Sequence, residues 1–305
     1  MTMKNIIATI LGIFLLSASP AFAAQFPTAS NAPSGTGTSY NWSGYQATGG
    51  SYTSVSGTWN VPSVSSPSAN TADATWVGIG GVTSNDLIQA GTQTLIGAGG
   101  QIAYQAFYEM LPGVAQSVPL SVHAGDSVSA SITQTSAGEW LITVRDNTTQ
   151  QSYQTTVSYA SKLSSAEWVE EMPSTVGNAF IPIDNFNTIS FTGGSAIENG
   201  AQVTIAQSGA KMLTMVNGNE QPLATPSALG TDGESFSVTR STNAPTATTG
   251  IMRIGIGRGH RTGVGVQGYT PGPQPSATTS PSISIRAHQR LSFIRINGGY
   301  IFLRF

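Results

Sequence analysis

The sequence predicts an all-β fold, an antiparallel β-sandwich of two sheets of the concanavalin-like or jelly-roll type. Three observations predict it. Short segments between Tyr40 and Arg240 alternate apolar and polar residues with period two. Thr, Val, Ser, Tyr and Ile dominate those segments, and Gly, Ser, Asn or Pro breaks them at the short spacing of a sandwich. No stretch of convincing length after the N-terminus carries a helical period.

The elements follow in chain order. "YTSVSGTWNVP" (52–62) is a strand closed by its proline. "TWVGIGG" (75–81) runs into a glycine turn, and "DLIQAGT" (86–92) returns from it as the next apolar strand. "YQAFYEMLP" (104–112) is aromatic-rich and also ends at a proline. "SVSASITQT" (127–135) alternates strictly. "GEWLITVRDNTTQQSYQTTVSY" (138–159) reads as a hairpin with "DNTTQQ" at its turn. "AEWVEEMPS" (166–174) is a strand that stops at Met172-Pro173, and "AQVTIAQ" (201–207) and "SFSVTR" (235–240) complete the pattern.

The flanks differ from this domain. Lys4, the apolar "IIATILGIFLL" and the small residues Ala21 and Ala23 form an export signal over residues 1–23. The apolar run falls short of the roughly 20 residues a membrane span needs. The expectation is a secreted protein that has no membrane partner once the signal is removed. Residues 24–39 read as a mobile polar leader, and 40–240 as the sandwich. Residues 241–305 are Pro/Gly-rich and carry seven arginines and no acid. That tail reads as disordered or non-native. A surface-binding or nucleic-acid patch and an extra hairpin ending in an aromatic residue are the other readings.

Charge is scarce, at 9% of residues against roughly 25% in an average protein. From the signal to Arg240 there are four bases and all fourteen acids, a net charge of −10. A chain so poor in bases suits acidic surroundings, where its carboxylates lose their charge and few cations remain to repel one another; composition alone leaves a merely Ser/Thr-rich secreted surface equally open. There is no cysteine, so disulfides and thiolate metal sites are excluded. His123, His260 and His288 have no metal-ligand spacing, and no loop has the pattern of a phosphate cradle. Neither metal nor cofactor is expected, nor a nucleic-acid partner, and the chain is expected to be monomeric.

The acids are the candidate chemistry. Asp126, Asp146, Asp184 and Glu198 sit in turn-like contexts and read as structural. Glu109 ends an aromatic strand. In "AEWVEEMPS" strand alternation puts Glu167, Val169 and Glu171 on one face, toward solvent or a groove. Ala166, Trp168 and Glu170 share the other face, where Glu170 is awkward. Pattern alone leaves a solvated face and a catalytic one equally open. Gln89 lies in an apolar strand, where an amide must find partners or cost about 1–3 kcal/mol; it either bonds neighbouring backbone or lines a groove.

Six motifs, "NWSGY" (41–45), "VSGTWNVPS" (55–63), "WVGIGG" (76–81), "LIQAGT" (87–92), "AFYEMLPG" (106–113) and "AEWVEEMP" (166–173), resemble the glutamic peptidases, or eqolisins, in order and spacing. The resemblance spans about residues 40–240 and points to a bacterial-type member. It implies a secreted, acid-acting endopeptidase with polypeptide substrates. By motif the family's catalytic pair falls on Gln89 and Glu171, and Trp76 and Glu109 line the same cleft. The chain departs from the family in three ways. It has none of the disulfides of the fungal members, Gly80 stands where many members have an acid, and Glu170 replaces an apolar residue.

Such a pair can hydrolyse a peptide bond. Ionised Glu171 takes a proton from water and, once neutral, gives it to the departing amine. Gln89 donates to the oxyanion, and its carbonyl helps hold the water. Nearby Glu167 and Glu170 are expected to raise the Glu171 pKa. A carbohydrate-binding module, or a glycosidase using Glu109 and Glu171 as an acid pair, is the alternative.

Overall fold

The computed structural model describes residues 36–175, 179–242, 293–296 and 299–302. The expected export signal, most of the expected leader and most of the tail lie outside the described residues. The main domain is all-β, with the strands Thr36–Ser39 (β1), Trp42–Thr48 (β2), Tyr52–Asn60 (β3), Thr71–Gly80 (β4), Leu87–Ile96 (β5), Ile102–Met110 (β6) and Gln116–Ser117 (β7). The chain continues through Ser127–Ser136 (β8), Glu139–Asp146 (β9), Gln151–Ser158 (β10), Ser165–Glu171 (β11), Thr188–Glu198 (β12) and Ala201–Thr204 (β13). Lys211–Val216 (β14), Pro222–Pro226 (β15) and Phe236–Arg240 (β16) complete the domain. In the tail, Phe293–Ile296 (β17) and Gly299–Phe302 (β18) pair as an antiparallel hairpin.

The hydrogen-bonded path runs β10-β9-β8-β3-β12-β16-β15-β14-β2-β11-β4-β5-β6-β7. Its two halves fold over one another, so that β3 and β8 pack on β4, β5 and β11. This is the expected sandwich. Trp59, Trp140 and Trp168 fill the space between the halves with Tyr52, Ile88, Ile132 and Phe191. The turn predicted at "DNTTQQ" is present: Gln151 pairs with Asp146, whose carboxylate accepts from the Thr148 and Thr149 amides. Thr36–Ser39, assigned to the leader by sequence, instead pairs in parallel with β14, so the sheet begins before Tyr40.

Strands β4, β5 and β11 are buried on both faces. Trp42, Trp76, Leu87, Leu95, Phe107 and Val169 form a second apolar cluster on the face turned away from the main core. That face is concave. Gly44, Val169, Trp76, Gly91 and Phe107 form one cross-strand row. A Cβ on Gly44 (φ +145°) would lie 2.1 Å from the Trp168 carbonyl oxygen, and one on Gly91 would lie 2.0 Å from that of Thr75. Only glycine permits so close an approach, and the sheet creases along this row. Trp42 lies opposite Glu171, which lies opposite Ala74. Gly81 is seven residues beyond Ala74 (81 − 74), ~24 Å along a flat strand and further than an indole reaches. Yet a Cβ on Gly81 would lie 3.1 Å from the Trp42 ring. The end of β4 therefore curls back over the tryptophans.

Candidate active site

Glu171 closes β11 on the concave face. Alternation places Glu167 and Val169 there with it, while Ala166, Trp168 and Glu170 face the main core. The sequence allowed that face to be solvent or groove, and it is not open to solvent: Glu171 is 4% exposed and Glu167 is fully buried. Asn41 Nδ2 donates to Glu171 Oε1 at 3.0 Å, and Trp76 Nε1 donates to Oε2 at 2.7 Å. Asn41 is itself tied to Ser39 at the end of β1. Trp42 stands edge-on to Trp76, with centroids 5.1 Å apart. Its indole N–H helps hold the charge of Glu171 without reaching hydrogen-bond geometry.

Burial pushes the Glu171 pKa up to about 7 against the pull of the Trp76, Trp42 and Asn41 donors. Loss of water, rather than the neighbouring glutamates, causes the rise. The expectation that Glu167 and Glu170 would do so is corrected.

Gln89 lies across the crease. It pairs with Gly78 on one side and with Glu109 on the other, and both Gln89 and Glu109 are fully buried. Gln89 Nε2 donates to Glu109 Oε2 at 2.7 Å. This fixes the amide: nitrogen toward Glu109, and Oε1 with no partner among the described residues. Trp76 spans the crease between the two groups. Its Nε1 meets Glu171, and its Cζ3 lies 2.8 Å from where a Cβ on Gly78 would stand. Any side chain at 78 would displace the indole. The fold thus gathers Gln89, Glu171, Trp76 and Glu109 on one curved face, with Glu171 on one side of the Trp76 row and Gln89 and Glu109 on the other.

Gly80 also gains a physical reason. Its φ is +97°, and a Cβ there would lie 2.1 Å from the Asp86 carbonyl oxygen. Asp86 in turn accepts from Ser161 Oγ and the Lys162 amide.

Glu170 turns the other way and is buried against Asp73 and Asp184, which are 0% and 2% exposed. Thr75 Oγ1 donates to Glu170 Oε2 at 2.7 Å. Both oxygens of Asp73 and of Asp184 lack a donor in hydrogen-bond geometry among the described residues. Burial pushes Asp73 up to about 6 and holds Glu170 and Asp184 well above the usual carboxylate range. Asp184, read from the sequence as a turn acid, is part of this interior cluster, because the segment carrying it docks on β4 through its amide and the Ala72 carbonyl. Sequence reasoning did not single out Asp73; its signal was its place on the face of Thr75 and Val77. Asn41 was quoted within a motif without a role. Asp126, which accepts from the His123 amide, and Glu198, which accepts from Tyr52, are structural as expected. Among the described residues no cluster of His, Asp and Glu could hold a metal ion.

The Peptidase A4 family matches residues 40–240. Aspergillopepsin-2 of Aspergillus niger is 28% identical over 226 residues, 66% of this chain and 77% of that protein. Scytalidopepsin B of Scytalidium lignicola is 32% identical over 202 residues, 63% of this chain and 75% of that protein. The solved structure of scytalido-glutamic peptidase with a transition state analog inhibitor superposes with a TM-score of 0.59 at 27% identity, covering 66% of this chain and 98% of that one. Aspergilloglutamic peptidase from Aspergillus niger superposes with a TM-score of 0.50 at 25% identity, covering 56% and 99%.

Proposed function

The chain belongs to the Peptidase A4 family and is a hydrolase of peptide bonds, and on that premise we propose that it is a secreted, acid-acting endopeptidase using Glu171 and Gln89. One observation carries the assignment. A buried carboxyl held by two N–H donors faces, across the Trp76 row, an amide whose carbonyl oxygen is buried and unpartnered.

Ionised Glu171 takes a proton from a water set between it and the Gln89 carbonyl. The water oxygen attacks the scissile carbon. The second amide N–H of Gln89, the one not given to Glu109, donates to the oxyanion. Glu171, now neutral, delivers its proton to the leaving nitrogen and returns to the carboxylate. Glu109 keeps the Gln89 amide from flipping. Its commitment to Gln89 also removes it as the free second acid that a glycosidase pair requires. The domain proposed to act is 40–240, extended by β1. Export rests on the N-terminal signal and on likeness to the fungal peptidases.

The test is protein digestion at acidic pH. Glu171→Gln should abolish turnover while leaving the thermal transition in place, because an amide cannot act as base. Gln89→Ala should slow turnover by about 10²–10³, the worth of one oxyanion donor. Near-parental turnover by either variant would refute the pair.

A further inference from the structure

Resting on that reading of Gln89, we propose that Tyr159 is a positioning residue for the reaction, acting as a hydroxyl wedge in the ladder that carries Gln89 and Glu109. The β5–β6 register pairs Gln89 with Glu109 and Ile88 with Met110. In an antiparallel ladder, pairs that exchange two hydrogen bonds alternate with pairs that exchange none. The next bonded pair beyond Gln89 and Glu109 is therefore Leu87 with Leu111. Only one of its two bonds is direct, from the Leu111 amide to the Leu87 carbonyl at 2.9 Å. The other runs through Tyr159: the Leu87 amide donates to its hydroxyl at 2.7 Å, and the hydroxyl donates to the Leu111 carbonyl at 2.8 Å.

An oxygen inserted into a ladder bond holds the two backbones apart at that end. The splay begins two residues before Gln89 and two residues after Glu109. It sets how the two side chains approach each other above the ladder. The wedge is anchored from the opposite side of the sandwich. The Tyr159 amide donates to the Gly138 carbonyl at 2.8 Å, and the Trp140 indole donates to the Tyr159 carbonyl at 3.0 Å. The β9–β10 hairpin, on the far half of the sandwich from Gln89 and Glu109, thus reaches the site through one phenol.

Tyr159→Phe removes the bridging oxygen and lets the Leu87 amide close directly on the Leu111 carbonyl. The Gln89–Glu109 pair should then shift out of its reactive setting. The expected result in the full chain is a fall in kcat of about tenfold to a hundredfold, the usual result of a small misplacement, with KM changed less than about twofold. Tyr45→Phe is the structural control. Tyr45 donates to the Ser227 carbonyl at 2.8 Å on a strand without either partner of the pair, so its loss should lower the melting temperature and leave kcat alone. The deciding measurement is a double-mutant cycle. In a Gln89→Ala background, Tyr159→Phe should change kcat by less than about twofold, because its effect passes through an absent amide. An undiminished effect in that background, an unchanged kcat in Tyr159→Phe, or an equal kcat loss in Tyr45→Phe would overturn the inference. If Gln89→Ala itself turned over at the parental rate, the catalytic pair would fall first, and the role of Tyr159 with it.

Discussion

Replacing Asp73 with Asn should extend the stability of this protein toward neutral pH. Asp73 on β4, Glu170 on β11 and Asp184 on the segment after β11 meet inside the sandwich, with Thr75, Thr94 and Tyr104 around them. The cation facing them is Arg240, whose guanidinium donates to the backbone carbonyls of Asp184 and Leu223. The Asp73 pKa is about 6 in the folded protein and about 3.9 when unfolded. Below pH ~4 both states hold the proton, and the acid costs nothing. Between pH ~4 and ~6 the unfolded state releases its proton first, so stability falls as pH rises. Beyond that the loss is complete, at about 3 kcal/mol for a shift of about two pK units. Asn mimics the neutral acid and cannot ionise. Asp73→Asn should match the parent near pH 4 and exceed it by about 3 kcal/mol near pH 7, a large part of the ~5–15 kcal/mol that holds a domain together. All five tryptophans are buried, so their fluorescence reports unfolding. With a urea slope of about 1–3 kcal/mol/M, the midpoint at pH 7 should rise by roughly 1 M or more. Identical midpoints at pH 7, or a parental midpoint that stays level from pH 4 to 7, would refute the reasoning.

Further outcomes are expected. Glu170→Val should leave kcat within about twofold, because Glu170 points away from Glu171, and should raise the urea midpoint at pH 7 by removing a buried acid; a loss as deep as that of Glu171→Gln would mean the register is off by one. Gly91→Ala should lower stability by about 3 kcal/mol or more, since its Cβ would lie 2.0 Å from the Thr75 carbonyl oxygen; a melting temperature equal to the parent's would show that the crease is not needed. A chain ending at Thr242 should digest protein as fast as the full chain, because the family match ends at Arg240; a large fall in activity would assign the basic tail a part in the site.

Much of the fold was legible because period-two alternation survives in strands with one wet face. β8, with alternately buried and half-buried residues, is such a strand. The concave half was harder to read. In β4 and β5 every residue is buried, so the apolar run told of burial but not of what covered the second face. That depends on the crease, and the crease depends on Gly44 and Gly91, which look like ordinary strand glycines until their partners are known. The proposed catalytic pair rests on motif resemblance, since Gln89 and Glu171 lie on strands that only the fold brings onto one face. Asp73 was missed and Asp184 misread for one reason: nothing local marks an acid that will meet another acid from a segment more than a hundred positions away. Tyr159 has the same character, being a strand-end tyrosine by sequence and a bridge between two other strands by topology.

Glu170 and Glu171 are consecutive, and the pleat of β11 sends them to opposite faces with opposite consequences. On the concave face, Glu171 must lose a proton to act as base in the proposed mechanism. With its pKa near 7, roughly one molecule in a hundred holds the ionised form at pH 5, roughly one in eleven at pH 6 and about half at pH 7. On the core face, Glu170, Asp73 and Asp184 cost the fold stability when they lose their protons, because burial raises the pKa of each. The reaction therefore gains from rising pH over the same interval in which the fold loses from it. Activity should climb through mildly acidic pH and then fall as unfolding overtakes it. The falling limb should belong to the interior acids rather than to the catalytic pair. Initial rates of Asp73→Asn measured against pH separate the two: its rising limb should overlie the parent's, while its falling limb should move toward neutral pH. A falling limb that stays in place would put the upper limit in the chemistry of the pair itself.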